Sequence, residues 1–363
     1  MKIVTVVGAR PQFIKAAAFS RATAARADSD LTEVLIHTGQ HYDEKMSDVF
    51  FKQLGIAAPA YNLAIAGGMH GAMTGRMLEA IERVLVDERP DWVLIYGDTN
   101  STLAAALAAS KLHIPIAHIE AGLRSFNMRM PEEVNRIVAD RLSRLLFCPT
   151  QTSITNLANE GMSRGVHLVG DVMYDVALHF AHVAEQRTSI LTELGVKPKA
   201  YVLATCHRAE TTDDRDNLAG VVRGLAGIAA SRPVVLPMHP RTRGKIQEFG
   251  LAPLLGSVKV VDPVSYLDMI ALERNAEVIV TDSGGVQKEA FFYRVPCVTA
   301  REETEWVETV DAGWNCLVGC DAAKMIDAVT GHSHQKRVDT HPYGAGDAAD
   351  RILDVLLKSS SLA

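Results

Sequence analysis

The segment Thr281-Asp282-Ser283-Gly284-Gly285 is the part of the sequence whose residue types point most directly to chemistry. It follows the apolar run Val278 to Val280 and opens a stretch of helical composition, which predicts a strand leading through a glycine turn into a helix. Amides in the first turn of a helix bind anionic oxygens, and adjacent glycines let phosphates approach the backbone. The turn predicts a diphosphate site, and a strand-to-helix turn without a ligand is the alternative.

Three carboxylates in the first half of the chain occupy positions suited to proton transfer. Asp98 and Glu120 each come shortly after an apolar run, and Glu132 follows Pro131 at a predicted helix start. Ligands of open α/β sheets bind beyond the carboxyl ends of the strands, so these acids are catalytic candidates. A helix-capping role for Asp98 is the alternative, and we interpret the adjacent Glu133 as ordinary helix N-terminal chemistry.

Two cations follow the first predicted strand. Arg10 stands before Pro11, and Lys15 comes about one helical turn later, so both are predicted near a helix N-terminus, where they would clamp a phosphate. Solvated surface cations are the alternative. The dinucleotide-binding pattern G-x-G-x-x-G is not met after Gly8, because Arg10 and Phe13 occupy its second and third glycine positions. A nicotinamide cofactor is therefore disfavoured.

Histidines occupy two strand ends in the second half. His207, followed by Arg208, comes after one apolar run, and His239 comes after the next. Imidazole is suited to proton transfer or phosphate binding near neutral pH. One exposed histidine would mean little, but two at neighbouring strand ends add to the case for a site.

The elements that would position these residues alternate between strand and helix. The predicted strands are the runs 3–7, 34–36, 92–95, 114–119, 145–147, 167–169, 201–204, 234–236, 258–261, 278–280, 297–299 and 316–318. This pattern predicts an α/β protein with two Rossmann-like doubly wound domains. We place the N-terminal domain at residues 1–170, the second at 171–345 and an amphipathic C-terminal helix within 346–363, which would pack back on the first domain.

Composition excludes several classes of protein. The 363 residues are 48% hydrophobic and carry a formal net charge of −6 without a basic run, which disfavours a nucleic-acid partner. No stretch is long enough to span a membrane, and the N-terminus does not match a signal peptide. The five cysteines lack metal-site spacing, so we predict no metal and a cytoplasmic location.

The motifs together resemble a known family. They are Gly8-Ala9-Arg10-Pro11, Thr38-Gly39-Gln40-His41, Gly97-Asp98-Thr99, Glu120-Ala121-Gly122-Leu123-Arg124, Pro131-Glu132-Glu133, Asn135-Arg136, His207-Arg208 and Asp282-Ser283-Gly284-Gly285. In this order they are similar to the non-hydrolysing UDP-N-acetylglucosamine 2-epimerases, along nearly the whole chain. The resemblance implies a GT-B-type pair of domains with the active site in the interdomain cleft, a homodimer, a UDP-sugar substrate and no cofactor.

The resemblance also implies a reaction and residue roles. UDP-N-acetylglucosamine would be converted to UDP-N-acetylmannosamine by elimination of UDP, a glycal intermediate and re-addition of UDP, in the service of cell-surface polysaccharide biosynthesis. Catalysis is assigned to Asp98, Glu120, Glu132 and His207. Substrate binding is assigned to Arg10, Lys15, Gln40, His41, Arg136, Arg208, His239, Ser283, Gly284, Gly285 and Glu289, of which Gln40, His41 and Arg136 lie near the sugar or a second UDP-sugar site.

Two alternatives remain open from the sequence. The short segment 121–130 and the stretch 301–306 are similar to relatives that act on UDP-2,3-diacetamido-2,3-dideoxyglucuronate, whose carboxylate Arg124 or Arg129 would pair with. The other class is a GT-B glycosyltransferase, which would need an acceptor sugar. A binding protein without activity is disfavoured, because an idle site has no need of three clustered carboxylates.

Overall fold

The computed structural model describes residues 1–26, 31–40 and 58–360. The chain forms two compact units, each with its own sheet. Unit 1 comprises Met1–Val176 and His341–Ala363, and unit 2 comprises Ala177–Thr340.

Unit 1 is built on a parallel sheet with seven described strands. They are β1 (Lys2–Val7), β2 (Thr32–His37), β3 (Tyr61–Asn62), β4 (Trp92–Tyr96), β5 (Ile116–Ile119), β6 (Leu145–Cys148) and β7 (Val166–Leu168). Their order is β3-β2-β1-β4-β5-β6-β7. Every residue of β4, β5 and β6 is buried, as expected of parallel strands covered by helices on both faces.

Helices connect these strands and complete the core of unit 1. They are α1 (Arg10–Ala25), α2 (His70–Glu88), α3 (Asn100–Lys111), α4 (Pro131–Leu142) and α5 (Gln151–Asn159), and α6 (Val172–Arg187) begins in this unit. Met77 and Ile81 of α2 are fully buried in one cluster with Val4, Val6 and the alanines of α3. Small side chains on α3 let its backbone pack closely against its neighbours.

Unit 2 repeats this design. Its strands are β8 (Val202–Thr205), β9 (Val234–Pro237), β10 (Lys259–Val261), β11 (Val278–Thr281), β12 (Cys297–Thr299) and β13 (Asn315–Leu317). Its helices are α7 (Ile190–Glu193), α8 (Ala209–Thr212), α9 (Arg215–Ala229), α10 (Pro240–Glu248), α11 (Tyr266–Asn275), α12 (Gly284–Phe292), α13 (Val307–Asp311) and α14 (Ala322–Gly331). The strand order is β10-β9-β8-β11-β12-β13, again all parallel.

The prediction of an α/β protein with two Rossmann-like doubly wound sheets is confirmed. Each predicted apolar run overlaps a strand, and only the two-residue strand β3 was not predicted among the described residues. In both sheets the strand order reverses at one point, between β1 and β4 in unit 1 and between β8 and β11 in unit 2. Ligands of doubly wound sheets bind beyond the carboxyl ends of the strands at this point.

The C-terminal helix α15 (Ala348–Ser360) belongs to unit 1. Its first turn is capped by Asp175 of α6, whose carboxylate accepts hydrogen bonds from the amides of Ala348 (3.2 Å) and Ala349 (2.8 Å). Arg26, just after α1, forms an ion pair with Asp354 at 2.6 Å. These contacts tie the end of the chain to the sheet of unit 1.

Asp175 makes the stability of the protein depend on pH. Burial raises the pKa of Asp175 to about 6, against the opposing effect of the two amide hydrogen bonds. A raised pKa means that this group contributes stability below its unfolded pKa of 3.8, and that the contribution is lost as pH rises through about 6. Relative to the wild type, Asp175→Asn should therefore gain about 2 kcal/mol in free energy of unfolding between pH 4.5 and 7.5.

The measurement is urea-induced unfolding of both proteins at the two pH values. Asp350→Asn is the control, because Asp350 is an exposed carboxylate on α15, the helix that Asp175 caps, and is paired with Arg26 at 3.5 Å. A constant difference between Asp175→Asn and the wild type across this pH range would contradict the prediction.

Candidate functional site

Asp98 and Glu120 meet at the reversal point of the first sheet. β4 ends at Tyr96, and the φ of +59° at Gly97 turns the chain so that Asp98 follows just beyond the strand end. A Cβ added at Gly97 would lie 3.3 Å from Oε2 of Glu120, so the two turns are in direct contact. Glu120 is itself in the left-handed region, with φ +68°, and is 5% exposed. The structure thus places both predicted carboxylates at one edge of the sheet.

Each of these carboxylates has a cationic partner. Lys15 of α1 donates to Oε2 of Glu120. Arg136 of α4 donates to Oδ2 of Asp98 at 2.5 Å and to Oε2 of Glu133 at 2.8 Å. These ion pairs hold the carboxylates of Asp98 and Glu120 in place at the sheet edge. Lys15 and Arg136, predicted to bind substrate, therefore lie at the site in contact with its acids.

The helix α4 carries Glu132 in its first turn. Glu132 and Arg136 are four residues apart and lie on the same side of the helix, so Glu132 is on the side from which Arg136 reaches Asp98. Glu133 accepts hydrogen bonds from the amides of Ser125 (2.9 Å) and Phe126 (3.0 Å). Its role is thus more than the helix N-terminal chemistry read from the sequence, because it also anchors the segment before α4.

Gln40 lies beside the same edge. Its Oε1 accepts hydrogen bonds from the amide (3.2 Å) and the hydroxyl (2.9 Å) of Ser101, at the start of α3. Gly8, in the turn that follows β1, lies against the same serine. A Cβ at Gly8 would be 2.0 Å from Oγ of Ser101, so the turn after β1 requires glycine. The predicted residue His41 and the side chain of Arg10 lie outside the described part of the chain.

In unit 2, the glycine turn has the geometry of an anion site. β11 leads through Asp282 to Ser283, which caps α12, and the helix begins at Gly284. A Cβ added at Gly285 would have one heavy atom within 4 Å, Oγ of Ser283 at 3.8 Å, so the space over this glycine is open. Amides of a first helical turn point towards such a space. Glu289 lies on the same helix and is 8% exposed.

His207 and Arg208 are fixed to this turn through their backbone. Their amides donate to Oδ2 of Asp282 at 2.9 and 3.0 Å, and Asp282 is fully buried. The imidazole of His207 is half-exposed, and its ring centroid lies 6.4 Å from that of His239. The structure therefore brings both predicted histidines to the glycine turn, and the carboxylate of Asp282 links the ends of β8 and β11, a contact that the sequence reasoning missed.

A second feature of the turn was also missed. Nε1 of Trp306 lies 3.2 Å from the position that a Cβ at Gly284 would take, and the ammonium of the buried Lys288 lies 3.9 Å from the centre of the Trp306 ring. Glu305 pairs with Arg301 at 3.2 Å in the same segment. The stretch 301–306 therefore forms one wall of the glycine turn. It comes about 20 residues after the turn in the chain, so local sequence pattern did not indicate this contact.

The described part of the chain shows no cluster of three or more His, Cys, Asp or Glu side chains that could hold a metal ion. Among those residues, no helix has the length and apolar character needed to cross a membrane.

Comparison with known proteins shows relatives that match nearly the whole chain. The family model described as UDP-N-acetylglucosamine 2-epimerase matches residues 23–357. A UDP-2,3-diacetamido-2,3-dideoxy-D-glucuronate 2-epimerase of Pseudomonas aeruginosa is 53% identical over 99% of this chain and 100% of its own. A UDP-N-acetylglucosamine 2-epimerase of Methanocaldococcus jannaschii is 42% identical over 98% of this chain and 99% of its own.

Solved structures are similar over the whole chain as well. The UDP-GlcNAc 2-epimerase of Methanocaldococcus jannaschii in complex with UDP-GlcNAc and UDP has a TM-score of 0.91 at 41% identity, covering 99% of this chain and 100% of that one. The UDP-GlcNAc 2-epimerase of Neisseria meningitidis bound to UDP-GlcNAc has a TM-score of 0.89 at 31% identity, with the same coverage.

Proposed function

The chain belongs to the UDP-N-acetylglucosamine 2-epimerase family, a family of isomerases, and on that premise we propose that it inverts carbon two of a UDP-linked 2-acetamido sugar. The observation that carries the proposal is the contact between the turns of Asp98 and Glu120, each carboxylate held by a cation. Two neighbouring acids at a ligand-binding sheet edge suit a reaction that moves a proton on and off a sugar carbon.

The nucleotide would be bound by unit 2. The first-turn amides of α12 at Ser283, Gly284 and Gly285 would hold the diphosphate, since their partial positive charge complements it. Glu289 would accept both ribose hydroxyls, because an ionised carboxylate offers two acceptor oxygens. His207, with Arg208 and His239 beside it, would protonate or position the leaving phosphate. Arg10 would neutralise phosphate charge.

The acids of unit 1 would carry the proton chemistry. The hydrogen on carbon two is not adjacent to a carbonyl, so its removal must accompany departure of UDP from carbon one, which leaves a glycal. UDP then adds back while a proton arrives on the opposite face of carbon two. Inversion needs proton groups on both faces, so at least two of Asp98, Glu120 and Glu132 act as base and acid. The carboxylates also stabilise positive charge on the ring.

The sugar that we propose is the 2,3-diacetamido uronate, with N-acetylglucosamine as the other candidate. The 53% identical relative is named for the uronate, whereas the Methanocaldococcus jannaschii epimerase at 42% is named for N-acetylglucosamine. Of the two arginines expected to pair with a uronate, Arg124 is committed to Glu160 (2.6 Å) and Asp140 (2.8 Å). The exposed Arg129 is the candidate that is left.

Incubation in D2O tests both the epimerase activity and the identity of the sugar. Each UDP-sugar is supplied alone, and NMR follows epimer formation and deuterium at carbon two. We expect both signals from the uronate substrate, with a kcat/KM at least ten-fold above that for UDP-N-acetylglucosamine, about 1.4 kcal/mol of discrimination. The reverse preference would overturn the sugar assignment alone. Retention of hydrogen at carbon two with both sugars would overturn the epimerase proposal and favour a glycosyltransferase.

We also propose that the chain forms a homodimer in the cytoplasm and takes part in cell-surface polysaccharide synthesis. This proposal rests on the family resemblance, and light scattering of the purified chain tests the dimer.

A further inference from the structure

The strand β5 carries a fully buried histidine that the proposed chemistry does not use. His118 has no exposed surface, and both of its ring nitrogens face acceptors. Nδ1 lies 2.7 Å from Oδ1 of Asp140, and Nε2 lies 2.8 Å from the carbonyl oxygen of Gly97. A carbonyl oxygen accepts and never donates, so Nε2 carries a proton.

The other nitrogen faces an ionised carboxylate. Burial by itself raises the pKa of Asp140, but the hydrogen bond from His118 and the charge and hydrogen bond of Arg124 act against it, and the pKa lies below its ordinary value. Arg124 donates to Oδ2 of Asp140 at 2.8 Å and is also paired with Glu160. With a proton on each nitrogen of His118, the cluster of His118, Arg124, Asp140 and Glu160 holds two cations and two anions, whereas a neutral imidazole would leave Arg124 as its single cation beside two carboxylates.

These contacts reach both catalytic turns. The carbonyl of Gly97 belongs to the peptide that joins Gly97 to Asp98, so His118 fixes the plane from which Asp98 projects. Oδ2 of Asp140 accepts from the amide of Gly122 at 3.2 Å, two residues after Glu120. Gly122 has φ +80°, and its carbonyl accepts from Asn156 at 3.0 Å, so this turn is also held from two sides.

We propose that His118, protonated on both ring nitrogens, and Asp140 are positioning residues that set the relative placement of Asp98 and Glu120. The inference rests on the proposed function in so far as these two acids are catalytic. His118 does not touch the substrate in this scheme. It acts through the Gly97–Asp98 peptide, and its fully satisfied buried network supplies the rigidity that proton transfer between fixed groups requires.

Two variants and a spectrum test the proposal. In His118→Gln the amide nitrogen can still reach the Gly97 carbonyl, whereas in His118→Asn it can reach only Asp140. We expect kcat to fall at least ten-fold in His118→Asn and less in His118→Gln, with the dissociation constant of UDP within about two-fold of wild type in both. His167→Gln is the matched control, since His167 lies on β7 of the same sheet outside the network.

Unchanged kcat in both variants, or equal losses of kcat and UDP affinity, would overturn the proposal. The wild-type protein provides a test that does not depend on folding of a variant. With ¹⁵N-labelled histidine, both ring nitrogens of His118 should show the protonated shift and a coupled proton, and a bare nitrogen would overturn the assignment. If the wild type instead shows no deuterium uptake at all, the proposed function fails, while the spectrum still decides the protonation of His118.

Discussion

Asp98→Asn is expected to abolish proton exchange at carbon two, with a loss in kcat of roughly 10²–10⁴-fold, the range that a positioned general acid or base contributes. The amide keeps the shape of the side chain but cannot take up a proton. The bond between Arg136 and Glu133 does not involve Asp98, so the anchoring of α4 and of the segment before it should persist. Deuterium incorporation from D2O, followed by NMR under single-turnover conditions, measures the loss.

The same variant should bind UDP almost as the wild type does, because the proposed nucleotide contacts, which are on α12, at the strand ends of unit 2 and at Arg10, do not include Asp98. Calorimetry with UDP separates binding from chemistry. Asp354→Asn is the matched control, since it also removes a carboxylate that pairs with an arginine of unit 1. Asp354 lies 2.6 Å from Arg26. Exchange at the wild-type rate in Asp98→Asn would refute the catalytic role of Asp98.

The features that the sequence predicted are those that depend on local pattern. Apolar runs marked the strands, and the residues just after them, such as Asp98, Glu120 and His207, were found at the carboxyl edges because a parallel sheet brings all its strand ends to one side. Local pattern was also sufficient for the glycine turn at Ser283, since strand, cap and helix follow one another directly in the chain.

Contacts between residues that are far apart in the chain could not be predicted from local pattern. Arg136 and Asp98 are 38 positions apart, and no local pattern favoured this ion pair over contact of Arg136 with the sugar. His118 stands inside the apolar run of β5, where a lone histidine resembles a core residue. Only the fold brings Asp140, on the next helix, against one side of its ring and the Gly97 carbonyl against the other. A histidine within an otherwise apolar central strand is the signal that could have prompted the question.

Gly285→Val is expected to weaken UDP binding at least ten-fold, about 1.4 kcal/mol, without unfolding unit 2. The protein itself has room for the new side chain, because its Cβ would meet only Oγ of Ser283, at an ordinary contact distance of 3.8 Å. Gly285 has no positive φ, so a side chain brings no left-handed strain. The added methyl groups would instead occupy the space over the first-turn amides of α12, which is where the diphosphate is proposed to lie.

Isothermal titration with UDP measures this loss, and the thermal midpoint of the variant verifies that the fold is retained. Gly244→Val supplies the control for valine in place of a helical glycine, because Gly244 lies within α10 of the same unit and has no atom within 4 Å of its added Cβ. The two variants should change stability by similar small amounts, since valine replaces an unhindered helical glycine in both, and only Gly285→Val should lose affinity. Equal UDP affinity in both variants would place the diphosphate away from this turn, because a branched side chain at position 285 and a phosphate on these amides would occupy the same space.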